Sequence, residues 1–268
     1  MAPSRRARIA LVLASLAVAR SLQCTQEDVG PTFDLGGCAL LNLTGVSIGD
    51  AGAKALAKSL ESNRVNSALE TLLLRRCEIT DVGATTIASA LASDTALTTL
   101  VMSENVLSAT GAEALAGVLA ANGPLTTLHL SHNAISDDGA KAIAHVLTGN
   151  TVLTTLGLVD NAIGDTGARA LAAALAFNNV LRTLRLDGNA MSSAGAVDLS
   201  VALERNTALT ELSLNFNGIG SEGGHKLAAA LERNRASKLT ELSLGGNPMS
   251  VEALTAVDRG LKRAKDEV

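Results

Sequence analysis

The sequence contains no tryptophan and no tyrosine, and its 268 residues include only three phenylalanines. An aromatic core is excluded, so the interior must be built from Leu, Ile, Val and Ala. Four prolines and 24 glycines rule out both a proline-rich linker and a collagen repeat. Three cysteines are too few for a disulfide framework. A basic surplus is also missing: 22 Lys and Arg stand against 26 Asp and Glu, for a formal net charge of −4. Proteins that hold nucleic acid neutralise phosphates, so no nucleic-acid partner is expected.

Long hydrophobic runs are scarce as well. The one that stands out, Ile9 to Ala19, is too short to span a bilayer comfortably. Arg5, Arg6 and Arg8 precede it and Ala17-Val18-Ala19 closes it, the pattern of a secretory signal peptide over residues 1–19. The expected product is secreted or in the secretory pathway, without a membrane span in the mature chain. A cytoplasmic protein with an uncleaved start is the alternative. Cleavage after Ala19 leaves 19 basic residues against 26 acidic ones, a net charge of −7.

What the chain has in abundance is a period. Matching units begin at Leu69, Leu97, Leu125, Leu153, Leu181, Leu209 and Leu239, 28 residues apart except for the last step of 30, and a degenerate unit begins at Cys38. Each opens as L-x-x-L-x-L-x-x-N, whose alternation predicts a short strand with one buried face. Each continues as I-x-D-x-G-A-x-A-L-A-x-x-L-x-x-N, whose spacing of three and four predicts an amphipathic helix. Asp50, Asp81, Asp137, Asp165, Ser193 and Ser221 sit where an N-cap acceptor is needed. Asn63, Asn122, Asn150, Asn178, Asn206 and Asn234 stand where each helix stops, and asparagine suits a left-handed C-terminal turn. A glycine in each first turn (Gly83 and Gly111 among them) points to close approach of helix and strand.

One such unit cannot bury its apolar face alone, so the units must stack. Helices are wider than strands, and a parallel stack therefore curves with its strands inside. The expected fold is α/β: a horseshoe solenoid of about eight repeats, with a parallel concave sheet and convex helices. The unit LxxLxLxxNxIxDxGAxALAxxLxxN resembles the leucine-rich repeat of the ribonuclease-inhibitor type, similar to the repeat regions of NOD-like receptors and of Ran GTPase-activating proteins. The resemblance covers residues 38–264, with an N-terminal cap over 20–37 and a C-terminal tail over 265–268. It implies a protein-interaction scaffold, usually cytosolic or nuclear in this subclass; the expected protein is non-enzymatic and monomeric, needs no cofactor and binds a protein partner through the concave face. Regulation of a GTPase, as in the Ran GTPase-activating proteins, is the second reading it implies, but no arginine matches a catalytic motif. A nucleotide-binding loop of the form G-x-x-x-x-G-K-[ST] is absent, as are zinc spacings and a Ser-His-Asp signature.

On such a wall, the third, fifth, seventh and eighth positions of each unit face the concave side. The eighth position reads Gly45, Arg76, Glu104, His132, Asp160, Gly188, Phe216 and Gly246 along successive strands. Arg76, Glu104, His132 and Asp160 alternate in sign, which suits a cross-strand charge ladder, a partner-binding patch or, least of all, an acid–base or metal site. Leu73 and Val101 form a small apolar spot. The candidate partner-binding residues are Leu73, Arg75, Arg76, Val101, Glu104, His129, His132, Asp160, Arg185, Asp187 and Phe216. Interaction hot spots favour Trp, Tyr and Arg, so a chain lacking the first two must rely on arginine and carboxylate contacts. Among the cysteines, Cys77 and Cys38 read as buried thiols, and Cys24 is a candidate to pair with Cys38 in an oxidising compartment. Asn42-Leu43-Thr44 is a glycosylation sequon in an unfavourable strand position. Phe177 reads as a packing residue at a helix end.

Overall fold

The computed structural model describes residues 23–35, 37–62, 68–92, 96–121 and 123–266, so the leader-like segment 1–19 lies outside the described residues. Nine three-residue strands form one parallel sheet in chain order. They are β1 (Gln23–Thr25), β2 (Leu40–Asn42), β3 (Thr71–Leu73), β4 (Thr99–Val101), β5 (Thr127–His129), β6 (Thr155–Gly157), β7 (Thr183–Arg185), β8 (Glu211–Ser213) and β9 (Glu241–Ser243). A short helix α1 (Gln26–Val29) follows β1. Each later strand leads to a longer helix: α2 (Gly49–Ser62), α3 (Asp81–Leu91), α4 (Ala109–Ala120), α5 (Ser136–Leu147), α6 (Asp165–Leu175), α7 (Ser193–Leu203), α8 (Ser221–Arg233) and α9 (Val251–Asp266). Pairing holds one register throughout, Thr71 beside Thr99, Thr127, Thr155 and Thr183. The fold is the solenoid that the period predicts, with one difference. A ninth strand, β1, comes from the polar N-terminal segment and pairs with β2, so the edge is covered by backbone as well as by polar side chains. Phe33 and Leu35 close the core beneath it, 2% and 3% exposed.

The core is continuous along the stack and almost wholly aliphatic. The central leucine of the inner strands (Leu72, Leu100, Leu128, Leu156, Leu184) is fully buried, as is the leucine or methionine two residues on (Leu74, Met102, Leu130, Leu158, Leu186). Burying each such side chain contributes about 1.5–3 kcal/mol, and none of it is available to an isolated unit.

Polar side chains join one repeat to the next, and they do so differently from the local reading of the motif. Asp50, Asp81, Asp137 and Asp165 do not cap their own helices. Asp81 accepts hydrogen bonds from the backbone N–H groups of Ser108 and Gly111, at 2.7 and 2.9 Å, and so caps α4, the helix of the following repeat. Asp50 does the same for Thr80 and Gly83, Asp137 for Gly164 and Gly167, and Asp165 for Ser192 and Gly195. Ser193 and Ser221 continue the series by accepting from Gly220 and Ser250. The first-turn glycines fit this arrangement: a Cβ on Gly83 would lie 2.5 Å from the Asp50 carboxylate and 3.0 Å from Ala53. The close approach they permit is between neighbouring helices. Partial desolvation works against ionisation of Asp50 and Asp165, but the hydrogen bonds donated to them outweigh it and lower both carboxyls from their ordinary range.

The series is broken once, at Ala109, and the backbone records the break. Where an acceptor is present, the residue before the next helix is extended, as at Thr80 (φ −98°), Ser108 (φ −104°) and Ser192 (φ −97°). Ser136, which faces Ala109, instead adopts φ 58° and donates its N–H to the carbonyl of Asn161. A left-handed serine costs about 1–2 kcal/mol, and the missing cap costs about 1 kcal/mol more. Ala109→Asp is expected to return Ser136 to the extended region and to raise stability by roughly 1–2 kcal/mol in urea unfolding at neutral pH. A carboxyl whose folded pKa is lowered contributes above its unfolded value and loses that contribution as pH falls, so the gain should vanish under acid conditions. An unchanged or lower midpoint at neutral pH would refute this account.

The asparagines at the helix ends also act between repeats. The residues that follow the helices, such as Thr148, Ala176 and Glu204, are right-handed, and no asparagine has a positive φ among the described residues. Asn178 is 3% exposed; it donates to the carbonyls of Leu147 and Asn150 in the preceding repeat and accepts from Val180 and Leu181 in its own. Asn150, Asn206 and Asn234 repeat the pattern. A side chain with two donors and an acceptor satisfies the end of the preceding helix and the loop that leads into the next strand at once; a left-handed turn would satisfy only its own helix. Asn63 and Asn122 lie outside the described residues.

Candidate functional site on the concave wall

The concave wall is made by the exposed face of the strands and by the residue four positions beyond each central leucine, the eighth of the unit. That residue is left-handed in every repeat: φ is 56° at Arg76, 57° at Glu104, 56° at His132, 50° at Asp160 and 53° at Phe216, and Gly45, Gly188 and Gly246 complete the row. Its N–H prolongs the parallel ladder onto the next repeat, as from Glu104 to the carbonyl of Ser131 at 2.8 Å, while the asparagine after it turns into the core. Asn189 shows why this turn is fixed. It accepts from the N–H groups of Asn161 and Ile163 and donates to the carbonyls of Leu158 and Leu186. The period in the sequence locates this row but not its backbone conformation, which glycine would adopt at no steric cost.

The structure brings the charged residues of the row together in pairs. Glu104 is held by both Arg75 and Arg76. Desolvation opposes its ionisation, but the two guanidinium groups outweigh it and lower its pKa. His132 Nδ1 lies 3.1 Å from Asp160, with both side chains about half exposed. Glu104, His132 and Asp160 therefore do not converge, and no group of three or more His, Cys, Asp or Glu among the described residues is placed to hold a metal ion. His129 is half-buried; burial first, and the Arg185 charge second, lower its pKa and favour the neutral ring at neutral pH. Leu73 and Val101 are register partners on β3 and β4 and are both half-buried.

Three of these side chains rest on glycines of the next strand. The ring of His129 lies where a Cβ on Gly157 would be, Asp160 lies across Gly188, and one edge of the Phe216 ring lies against Gly246. A substituted residue at any of the three glycines would push its neighbour off the wall. Phe216 is thus held in place yet 72% exposed.

A concavity with a volume of about 600 Å³ lies on the wall over β6–β9. Asp160, Arg185, Asp187, Glu211, Glu241 and Phe216 line it. Arg185 pairs with Glu211 at 2.9 Å, a contact that the sequence pattern did not single out. Asp187 accepts from Ser213 and from both the backbone and the side chain of Asn215. Glu211 and Glu241 occupy the third position of their units, a row that is threonine in the five strands before them. The change from Thr to Glu was the available signal.

Elsewhere, Cys24 and Cys38 are joined in a disulfide with Cα atoms 5.8 Å apart, so Cys38 is not a free thiol. Cys77 is free and buried; desolvation pushes its pKa up to about 11, and it stays a protonated donor to the carbonyl of Leu43. It thereby takes over one of the bonds that asparagine makes at this position in other repeats. Asn42 is half-buried and accepts from the N–H of Thr44 at 3.0 Å. Phe177 does not pack: its ring is 71% exposed, because Asn178 takes the inward position beside it. No helix among the described residues is long and apolar enough to cross a membrane.

This arrangement defines a repeat protein with an open, side-chain-lined wall. The family model described as Leucine Rich repeat matches six segments, residues 65–88, 93–116, 121–144, 149–172, 177–200 and 205–228, more than half of the sequence. The chain belongs to the leucine-rich repeat family. Among solved structures it is similar to actin-binding site 2 of leiomodin-1, with 23% identity, coverage of 57% of this chain and 88% of that one, and a TM-score of 0.51. A tropomodulin C-terminal domain from Caenorhabditis elegans matches at 18% identity over 52% and 84% of the two chains, with a TM-score of 0.44. An internalin from Listeria monocytogenes matches at 21% identity over 84% and 60%, with a TM-score of 0.49. A comparison with curated protein sequences found no match.

Proposed function

We propose that the protein is a non-enzymatic recognition scaffold that holds a protein partner against the concave face of its repeats. The observation that carries this reading is the left-handed row. At five of its eight positions the chain bears Arg, Glu, His, Asp or Phe where glycine would be less strained. Strain kept in order to display side chains on one open wall is the mark of a contact surface. The stiffness of the stack favours the same use, since side chains fixed by the ladder lose little freedom on docking. The α-helix in each convex segment and the 28-residue period support assigning the repeats to the ribonuclease-inhibitor type. The Cys24–Cys38 disulfide supports passage through the secretory pathway, because cytosolic thiols are kept reduced.

Arg75→Glu combined with Arg76→Glu reverses two charges on the wall at little cost in stability, because both guanidinium groups are about half or more exposed. In affinity capture from the native source, this variant should recover less than a tenth of the partner that the unmodified protein recovers. Lys141→Glu with Arg169→Glu, on the convex helices α5 and α6, should recover all of it. The reverse result would move the docking face to the helices.

A further inference from the structure

The two halves of the wall differ in charge. Over β2–β5, Arg75 and Arg76 stand against Glu104, so this half carries a small positive excess that Glu104 already engages. Over β6–β9, four carboxylates (Asp160, Asp187, Glu211 and Glu241) face a single guanidinium, Arg185, which Glu211 holds. Asp187 is engaged by Ser213 and Asn215, and Asp160 by His132. Glu241 is exposed at the last strand. The Phe216 ring, set against Gly246 and 72% exposed, lines the same concavity of about 600 Å³.

We propose that the sheet face over β6–β9 takes a basic segment of a protein partner, with an Arg or Lys side chain laid on the Phe216 ring between the carboxylates of Asp160 and Glu241. The proposal rests on the concave wall being the docking face and adds the chemistry of its occupant. An apolar partner would use the ring but leave the carboxylates desolvated without a counter-charge. An acidic peptide or a nucleic acid would be repelled. A cation over an aromatic ring is attracted by the ring quadrupole, and the flanking carboxylates add charge-assisted hydrogen bonds. A second copy of this chain is the weaker fit, because its own basic half is already tied to Glu104.

The test uses a fluorescein-labelled arginine- and lysine-rich peptide and an aspartate- and glutamate-rich counterpart, followed by anisotropy at low and high salt. The basic peptide should bind and its binding should weaken as salt rises, whereas the acidic peptide should show no binding. Phe216→Leu, which keeps an apolar side chain but removes the ring, should weaken binding roughly tenfold. Asp160→Asn with Glu241→Gln should weaken it at least as much, and Arg75→Ala with Arg76→Ala should leave it unchanged. Circular dichroism melts confirm that each variant is folded. Failure of the basic peptide to bind, or binding by the Phe216→Leu or the carboxylate variant as tight as that of the unmodified protein, overturns the proposal. So does self-association of the chain through these same residues in light scattering. If the peptide fails while partner capture still depends on Arg75 and Arg76, only the chemistry of the occupant is wrong. If capture depends on the convex residues, the docking face is wrong as well.

Discussion

Asn189→Ala should cost about 3–4 kcal/mol in equilibrium unfolding, a large fraction of the stability of an ordinary domain. Asn189 is 8% exposed, and its amide serves two backbone N–H groups and two carbonyls, three of them in the preceding repeat and one in its own. Truncation leaves all four without a partner in a place that water reaches poorly, and each unmet buried group costs about 1–3 kcal/mol. Asn189→Leu separates the causes. It restores volume but no hydrogen bond, so most of the loss should persist; recovery to within about 1 kcal/mol of the parent would mean that packing, and not bonding, holds the joint. Because each repeat contacts only its neighbours, a weakened joint between the repeats of β6 and β7 should also let the two halves unfold separately. A broadened or two-step transition would report that uncoupling.

Removing the Cys24–Cys38 disulfide, by Cys24→Ser with Cys38→Ser or by reduction, should cost about 3 kcal/mol, as expected for closing a loop with a sequence separation of 14. The loss should be local. With β1 and α1 no longer tied to β2, the edge of the sheet and the side chains of Phe33 and Leu35 become open to solvent. Hydrogen exchange should therefore rise over residues 23–35 and β2 while β5–β8 keep their protection. Uniform loss of protection along the whole stack would show instead that the cap sets the stability of every repeat. An exposed β2 edge also invites pairing with other chains, so the reduced protein should aggregate more readily.

The strands, the helices and their order could be read from the sequence because the two hydrophobic periods are local and recur without slippage from Leu69 to Leu239. The concave row was equally legible: once the central leucines point inward, Arg76, Glu104, His132, Asp160 and Phe216 have only one wall to occupy. What the sequence could not reveal were the partners across repeats. Asp81 placed at a helix start looks like a cap for its own helix, and only the stack brings the N–H groups of Ser108 and Gly111 nearer to it. The asparagines at the helix ends mislead in the same way, since one that reads as a turn former instead ties the end of the preceding helix to the loop that enters the next strand. The ninth strand was hidden because Gln23–Thr25 is too short and too polar to show alternation, and its pairing is fixed by the edge of β2 and by the disulfide.

The amino-acid pattern by itself thus determined the unit, its two halves and the face on which each side chain emerges, because those follow from the geometry of a single strand and a single helix. The tertiary structure alone decided which repeat's backbone each polar side chain serves, where the carboxylates gather around Phe216 and where the chain bends at Ser136. These depend on distances between segments 26 to 31 residues apart, which exist only once neighbouring turns of the solenoid are in contact.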